Sequence, residues 1–293
     1  MKVGVSGTGR MGSAIATRLL ASGFDVVVWN RTPAKTKPLV DAGATSAQSP
    51  AELAAQADVI ITILTDAKAI DSVYAGANGI LSANVNGKLV IEMSTVRPET
   101  EKALAERVTA RGAGFVECPV GGTTGPAKEG KLLGFVGGAD AEVARARPVL
   151  EKLCRRLEHV GPVGAGASMK LAINLPLVVF WQAFGEALAL CRELGVDPQR
   201  MADMFADSSG GTNALKNRLG PVAQALGGQQ VPGTYDVDSM RKDMRTMLEY
   251  AGAHGVKLPV TEAALACYDE GASAGLGSMD GANQSAYWRN RKS

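Results

Sequence analysis

Cysteine and histidine are scarce in this chain, and neither is arranged for metal or disulfide chemistry. The four cysteines, Cys118, Cys154, Cys191 and Cys267, lie far apart and form no C-x-x-C pair. That spacing speaks against a zinc site or a disulfide framework and fits a reducing cytoplasm. The two histidines, His159 and His254, stand in no motif. An excess of one charge is also missing: 31 basic and 29 acidic residues leave a net charge of +2, too weak a field to collect nucleic acid or an anionic membrane. No charged stretch, apolar core and small-residue cleavage site open the chain, so no export signal is read there. The most apolar window, residues 171–191, is broken by Asn174, Pro176, Gln182 and Glu186, and is read as a buried helix rather than a bilayer span. A small molecule is the partner these absences leave.

What is present is length and alternation. At 293 residues and 46% hydrophobic content, the chain suffices for two cored domains of the usual size, about 100–200 residues each. Short apolar runs at Lys2–Ser6, Asp25–Trp29, residues 59–64, residues 88–92 and Gly114–Glu117 read as strands, most of them followed by a helix-period segment. Parallel strands need crossovers and both sheet faces need cover, so the first domain is an α/β, doubly wound parallel sheet. Runs at 132–136 and 156–160 extend it until Gly161-Pro162-Val163-Gly164-Ala165-Gly166 breaks the pattern. The expected domains are 1–162 and 163–293. The second is all-helical, joined through a long interdomain helix, with loops at 208–213 and 227–234. Pro176 either kinks that helix or sits in it with one backbone bond lost.

Gly7-Thr8-Gly9-Arg10-Met11-Gly12 follows the first strand and opens a helix expected over residues 11–22. In that context G-x-G-x-x-G is a pyrophosphate loop of the Rossmann type. Gly7 makes the tight turn, Gly9 admits the ligand to the backbone, and Gly12 packs the helix on the strand, with the helix N-terminus facing the anion. The second strand ends in Asn30-Arg31-Thr32, where an NAD-selective fold carries a carboxylate for the ribose 2′-hydroxyl. Arg31 can instead fork onto a 2′-phosphate, Asn30 and Thr32 can donate hydrogen bonds, and Lys35 adds charge. NADP(H) is therefore expected in preference to NAD(H).

Hydride transfer to a carbonyl needs a proton donor beside the oxygen. Lys170 is better placed than either histidine, because it follows the glycine hinge and begins the long helix, with Asn174 four residues on and on the same face. Five segments in order now carry a resemblance that covers the whole chain. They are Gly7–Gly12 with Met11; Ser94-Thr95 followed by Pro98; Pro119-Val120-Gly121-Gly122; the residue 161–166 cluster leading to Lys170 and Asn174; and Lys242-Asp243. The sequence resembles the β-hydroxyacid dehydrogenase family, and Asn30-Arg31-Thr32 with Lys242-Asp243-Met244-Arg245 looks most like its NADPH-using semialdehyde reductase branch.

The resemblance implies that Lys170 is the general acid in reduction and the base in oxidation, facing the nicotinamide across a domain cleft, with Asn174 holding it and the substrate. It implies that Ser94, Thr95, Gly121, Gly122, Thr123 and Lys242 bind a small carboxylate substrate. Gly7, Thr8, Gly9, Arg10, Met11, Asn30, Arg31, Thr32, Lys35, Leu64, Thr65, Thr95 and Lys242 would contact the cofactor. No metal is implied, and a homodimer or homotetramer is expected from the apolar long helix. One departure stands out. Many members have serine where this chain has Gly121, so a hydroxyl for the substrate carboxylate would have to come from Thr123 or Thr124. Two other readings are an imine reductase of the same architecture, which usually lacks the lysine, and a catalytically silent dinucleotide-binding scaffold.

Overall fold

A computed structural model of the chain describes residues 1–291. Its elements begin β1 (Lys2–Ser6), α1 (Arg10–Ala21), β2 (Asp25–Trp29), α2 (Lys37–Asp41), β3 (Thr45–Ser46), α3 (Pro50–Gln56), β4 (Val59–Thr62) and α4 (Ala67–Tyr74). They continue with β5 (Leu89–Glu92), α5 (Pro98–Thr109), β6 (Gly114–Glu117), β7 (Val120–Gly121), α6 (Thr124–Glu129), β8 (Leu132–Gly138), α7 (Asp140–Leu153) and β9 (Cys154–Gly161). The strands form one sheet in the order β3-β2-β1-β4-β5-β6-β8-β7, with β9 beside β8. Strands β1 to β6 pair in parallel. The far end is mixed: β8 runs antiparallel to β6 and β7, and parallel to β9.

β4, β5 and β6 are buried along their whole length, the pattern of central strands covered on both faces. On one face Ile15 and Leu19 of α1 and Val149 and Leu150 of α7 share a core with Val3, Val5 and Ile91. On the other, Leu53 of α3, Ile70 and Tyr74 of α4, and Leu104 and Val108 of α5 pack on Val27, Ile60 and Val90. The strand order reverses at β1 and β4, the switch point where a doubly wound sheet opens a crevice at its carboxyl edge. The strand expected to reach Leu64 stops at Thr62, because the Leu64 amide donates to the Ser94 hydroxyl (2.8 Å) rather than to a neighbouring strand.

Helix α8 (Ala165–Leu190) follows, then α9 (Pro198–Asp207), α10 (Asn213–Lys216), α11 (Leu219–Leu226), α12 (Val237–Ala253), α13 (Pro259–Gly271) and α14 (Gly281–Asn290). The chain divides into two compact units, Met1–Leu171 and a helical one from Ala172 onward, so the division falls inside α8. α8 continues through Pro176, whose missing N–H costs one backbone bond. By length and composition α8 could cross a membrane, but its middle turns are built into the helical unit. Tyr268 of α13 donates to the Val178 carbonyl at 2.9 Å, Ser285 of α14 to the Trp181 carbonyl at 2.6 Å, and Gln284 to Gln182 at 3.1 Å. Asp236 and Asp280 accept first-turn amides at the starts of α12 and α14, as side-chain caps do.

Candidate functional site

The loops after β1, β2, β4 and β5 meet at the carboxyl edge of the parallel sheet, and they carry most of the residues singled out from the sequence. Gly7 has φ +97°, and a Cβ there would lie 2.4 Å from the Ile63 carbonyl oxygen; a Cβ on Gly12 would lie 1.8 Å from the Gly7 carbonyl oxygen. Only glycine lets α1 seat this closely. Gly9 has open space where its Cβ would stand, so an anion can approach the backbone there. α1 opens at Gly9 with no side-chain cap and no acidic residue in its first turn, whereas Ser49 and Asp66 cap α3 and α4. A helix end left in this state favours a negative group. The Thr8 hydroxyl is buried without a hydrogen-bond partner, a donor that a phosphate oxygen would satisfy. These features fit a dinucleotide; Arg10 is exposed and Met11 half-buried at the same helix start.

Asn30 clasps this loop. Its side-chain oxygen accepts the Thr8 amide at 3.1 Å and its side-chain amide donates to the Thr32 carbonyl at 3.1 Å. One Asn30 amide hydrogen is left, so its main work is to fix the turn. Arg31, Thr32 and Lys35 are exposed at the end of β2, in a stretch without a carboxylate. Leu64 is half-buried and would lie 3.0 Å from a Cβ on Gly7, while the Thr65 hydroxyl donates to Asp66 at 3.3 Å.

Ser94 departs from the expectation. Its hydroxyl donates to Glu92 and accepts the Leu64 amide, and its own amide donates to Glu92 at 2.7 Å. With its one hydroxyl proton committed, it ties two loops together and has none left to give a substrate carboxylate. Thr95 is half-buried beside it. At the end of β7 a Cβ on Gly121 would make only ordinary contacts, the nearest 3.7 Å away on Leu133. Gly122 is exposed, and Thr123 precedes α6 without capping it.

Lys170 is buried, 8% exposed, in the second turn of α8. Asn174, one turn on, belongs to the helical unit, where its side-chain amide donates to Asp243 at 3.1 Å. The same carboxylate accepts the Tyr235 hydroxyl at 2.6 Å and pairs with Lys242 at 2.6 Å. Burial first, and the Asp243 charge next, hold Tyr235 protonated by raising its pKa well above the usual range. Asp243 is thus a buried hub that fixes Asn174 and Lys242 together.

Sequence reasoning missed a buried acid cluster, Glu92, Glu101 and Glu117, all fully buried. Glu92 and Glu117 face each other on adjacent strands. Burial raises the pKa of Glu92, and burial with the Glu92 charge raises that of Glu101 further. As carboxylates, neither Glu101 oxygen would have a donor; protonation lets Glu101 donate to Glu92. The signal was present in the apolar runs Leu-Val-Ile-Glu and Gly-Phe-Val-Glu, where a carboxylate closes a fully buried strand. No cluster of metal-ligating side chains occurs among the described residues.

Residues 2–161 match the NAD binding domain of 6-phosphogluconate dehydrogenase, and residues 164–288 match the NAD-binding domain of NADP-dependent 3-hydroxyisobutyrate dehydrogenase. Glyoxylate/succinic semialdehyde reductase 1 of Arabidopsis thaliana is 35% identical, over 96% of both chains. A 3-hydroxyisobutyrate dehydrogenase structure from Salmonella typhimurium superposes with TM-score 0.87 at 25% identity, covering 97% of this chain and 99% of the other. The structure of Psf3 in complex with NADP+ and 2-OPP superposes with TM-score 0.86 at 29% identity, with the same coverage. With its glycine loop, open α1 N-terminus and helical second unit, the chain belongs to the β-hydroxyacid dehydrogenase family of NAD(P)-dependent dehydrogenases.

Proposed function

We propose that the chain is an NADP(H)-dependent reductase that interconverts a small β- or ω-hydroxy acid with its semialdehyde or aldehyde, using Lys170 as the proton donor and acceptor. The observation that carries this is a buried lysine on α8 in a chain of this family. When bound, the nicotinamide supplies hydride to the carbonyl carbon or takes it back. In reduction Lys170 gives its proton to the carbonyl oxygen, so that the developing alkoxide leaves as an alcohol; in oxidation it removes that proton. In the helical unit Asp243 holds Asn174 and Lys242; in the first unit Thr95, Gly122 and Thr123 are the proposed contacts of the substrate carboxylate. The preference for NADP(H) draws its support from exposed Arg31 and Lys35 with no carboxylate between them. The enzyme is proposed to act in the cytoplasm as a homodimer or homotetramer.

Lys170→Ala should lower kcat by about 10²- to 10⁴-fold while NADPH affinity, read by quenching of tryptophan fluorescence, is kept. Turnover near that of the unaltered enzyme would remove Lys170 from the mechanism. The assay runs with glyoxylate, succinic semialdehyde, tartronate semialdehyde, methylmalonate semialdehyde and serine, each with both cofactors in the direction its oxidation state requires. A lower KM for NADH than for NADPH would overturn the role given to Arg31.

A further inference from the structure

Helix α8 has no Ser, Thr, Asp or Asn at its start; its first amides lie in Gly164-Ala165-Gly166-Ala167. They are answered from elsewhere in the first unit. Glu117, at the end of β6, accepts the Gly164 amide at 2.6 Å and the Gly166 amide at 2.8 Å on one carboxyl oxygen, and the Ala167 amide also stabilises its ionised form. A cap this remote in sequence demands close approach. Gly164 has φ +99°, and a Cβ on Gly166 would lie 2.4 Å from the Phe135 carbonyl oxygen of β8. A Cβ on Gly137 would lie 2.1 Å from the Glu117 oxygen itself. Gly137 and Gly166 thus clear the space for one carboxylate, and Gly164 supplies the left-handed turn before the helix.

The held amide of Gly166 is one turn before Lys170, and in an α-helix the Lys170 amide bonds back to the Gly166 carbonyl. We propose that Glu117 is the positioning residue for Lys170: anchored on β6, its carboxylate fixes the first turn of α8 and thereby the place of the lysine one turn on. This rests on Lys170 being the proton donor.

Several ionisable groups surround Glu117. Glu92 on β5 and Glu101 on α5 oppose its charge, and the Cys118 thiol beside it is raised, chiefly by Cys154 and in smaller part by Glu117. The Lys102 stem packs over Gly164. On β9, His159 bonds the Gly138 and Gly161 carbonyls and pairs with Asp140. Burial is the largest influence on Glu117, raising its pKa to about 7 against the three helix amides, which lower it. Its second oxygen is buried without a partner, so the proton can be carried there while the first oxygen still accepts. The ionised form grips the amides and the positive helix end more firmly than the acid does. Turnover therefore falls as pH drops through about 7.

The test measures kcat, KM for NADPH and the pH profile in the unaltered enzyme, Glu117→Gln, Lys170→Ala and the double variant. Glu117→Gln keeps the shape and an accepting oxygen but loses the charge. Its kcat should fall about 10-fold, since sub-ångström misplacement of a catalytic group is costly, with KM for NADPH changed less than about 2-fold. The low-pH limb near 7 should vanish, whereas Glu117→Asp, which keeps the charge, should retain a limb. In the Lys170→Ala background, Glu117→Gln should change kcat by less than about 2-fold, because residues acting as a unit are not additive. Unaltered kcat and pH limb in Glu117→Gln, or an equal loss in both backgrounds, would overturn the positioning role. If Glu117→Gln does not fold, Glu117→Asp decides: unaltered kcat overturns the proposal, and a reduced kcat with NADPH KM kept supports it. Unimpaired Lys170→Ala would instead sink the reading of Lys170 itself.

Discussion

At the scale of single residues, Gly121 stands where family members often carry serine, and the structure leaves room for one. A Cβ there meets nothing closer than Leu133 at 3.7 Å, and the residue lies at the end of β7, where Gly122 and Thr123 follow. Gly121→Ser should therefore fold with an unchanged Tm. By adding a donor to an ionised group, it should lower KM for the proposed small carboxylate substrate about 10-fold. An unchanged KM would mean that Thr123 or Thr124 already makes that bond. Ser94 teaches the reverse lesson. The family resemblance implied a substrate contact for it, yet its proton is spent on Glu92. Glu92 is only two residues back, but the Leu64 amide that Ser94 also accepts lies 30 positions away, and the fold brings it there.

Among the elements, α1 was readable from its own residues, because the positive φ of Gly7 and the close approach of Gly12 to the Gly7 carbonyl are demands of a single turn and helix. α8 was not. Its length and apolar content were visible, but its cap comes from Glu117, 47 positions before Gly164. That cap has a measurable cost. The folded-state pKa of Glu117 is about 7 against a reference of 4.5, so between these values the native state holds more protons than the unfolded one. Its contribution to stability is present below about 4.5 and is lost as pH rises through about 7. The loss is on the order of 3 kcal/mol. Tm should thus fall between pH 5 and pH 8, and less steeply in Glu117→Gln, which cannot titrate. Equal Tm slopes in the two proteins would refute this. The ionised cap that serves turnover is the form the fold holds less stably.

For the whole molecule, the proposed homo-oligomer would cover exposed apolar side chains. Leu190 ends α8 at 92% exposure, and Leu194 follows at 68%. Surfaces of this kind are usually covered in homo-oligomers of compact subunits. Sedimentation equilibrium at micromolar concentration should give twice or four times the mass of the 293-residue chain; a monomer would refute it.

The alternation of strands and helices, the glycine loop after β1, the absence of a carboxylate after β2 and the presence of Lys170 are all legible in the linear order of residues. Each is a matter of neighbours along the chain, where propensity, periodicity and steric need act locally. The antiparallel end of the sheet, the inward turn of Ser94, the cap of α8 by Glu117 and the joining of Asn174 to Tyr235 through Asp243 came to light only in the folded chain. Those depend on buried polar groups finding partners once water is excluded, and a buried carboxylate accepts whichever donors the fold delivers. Asn174 and Asp243 are 69 positions apart, and folding alone makes them neighbours.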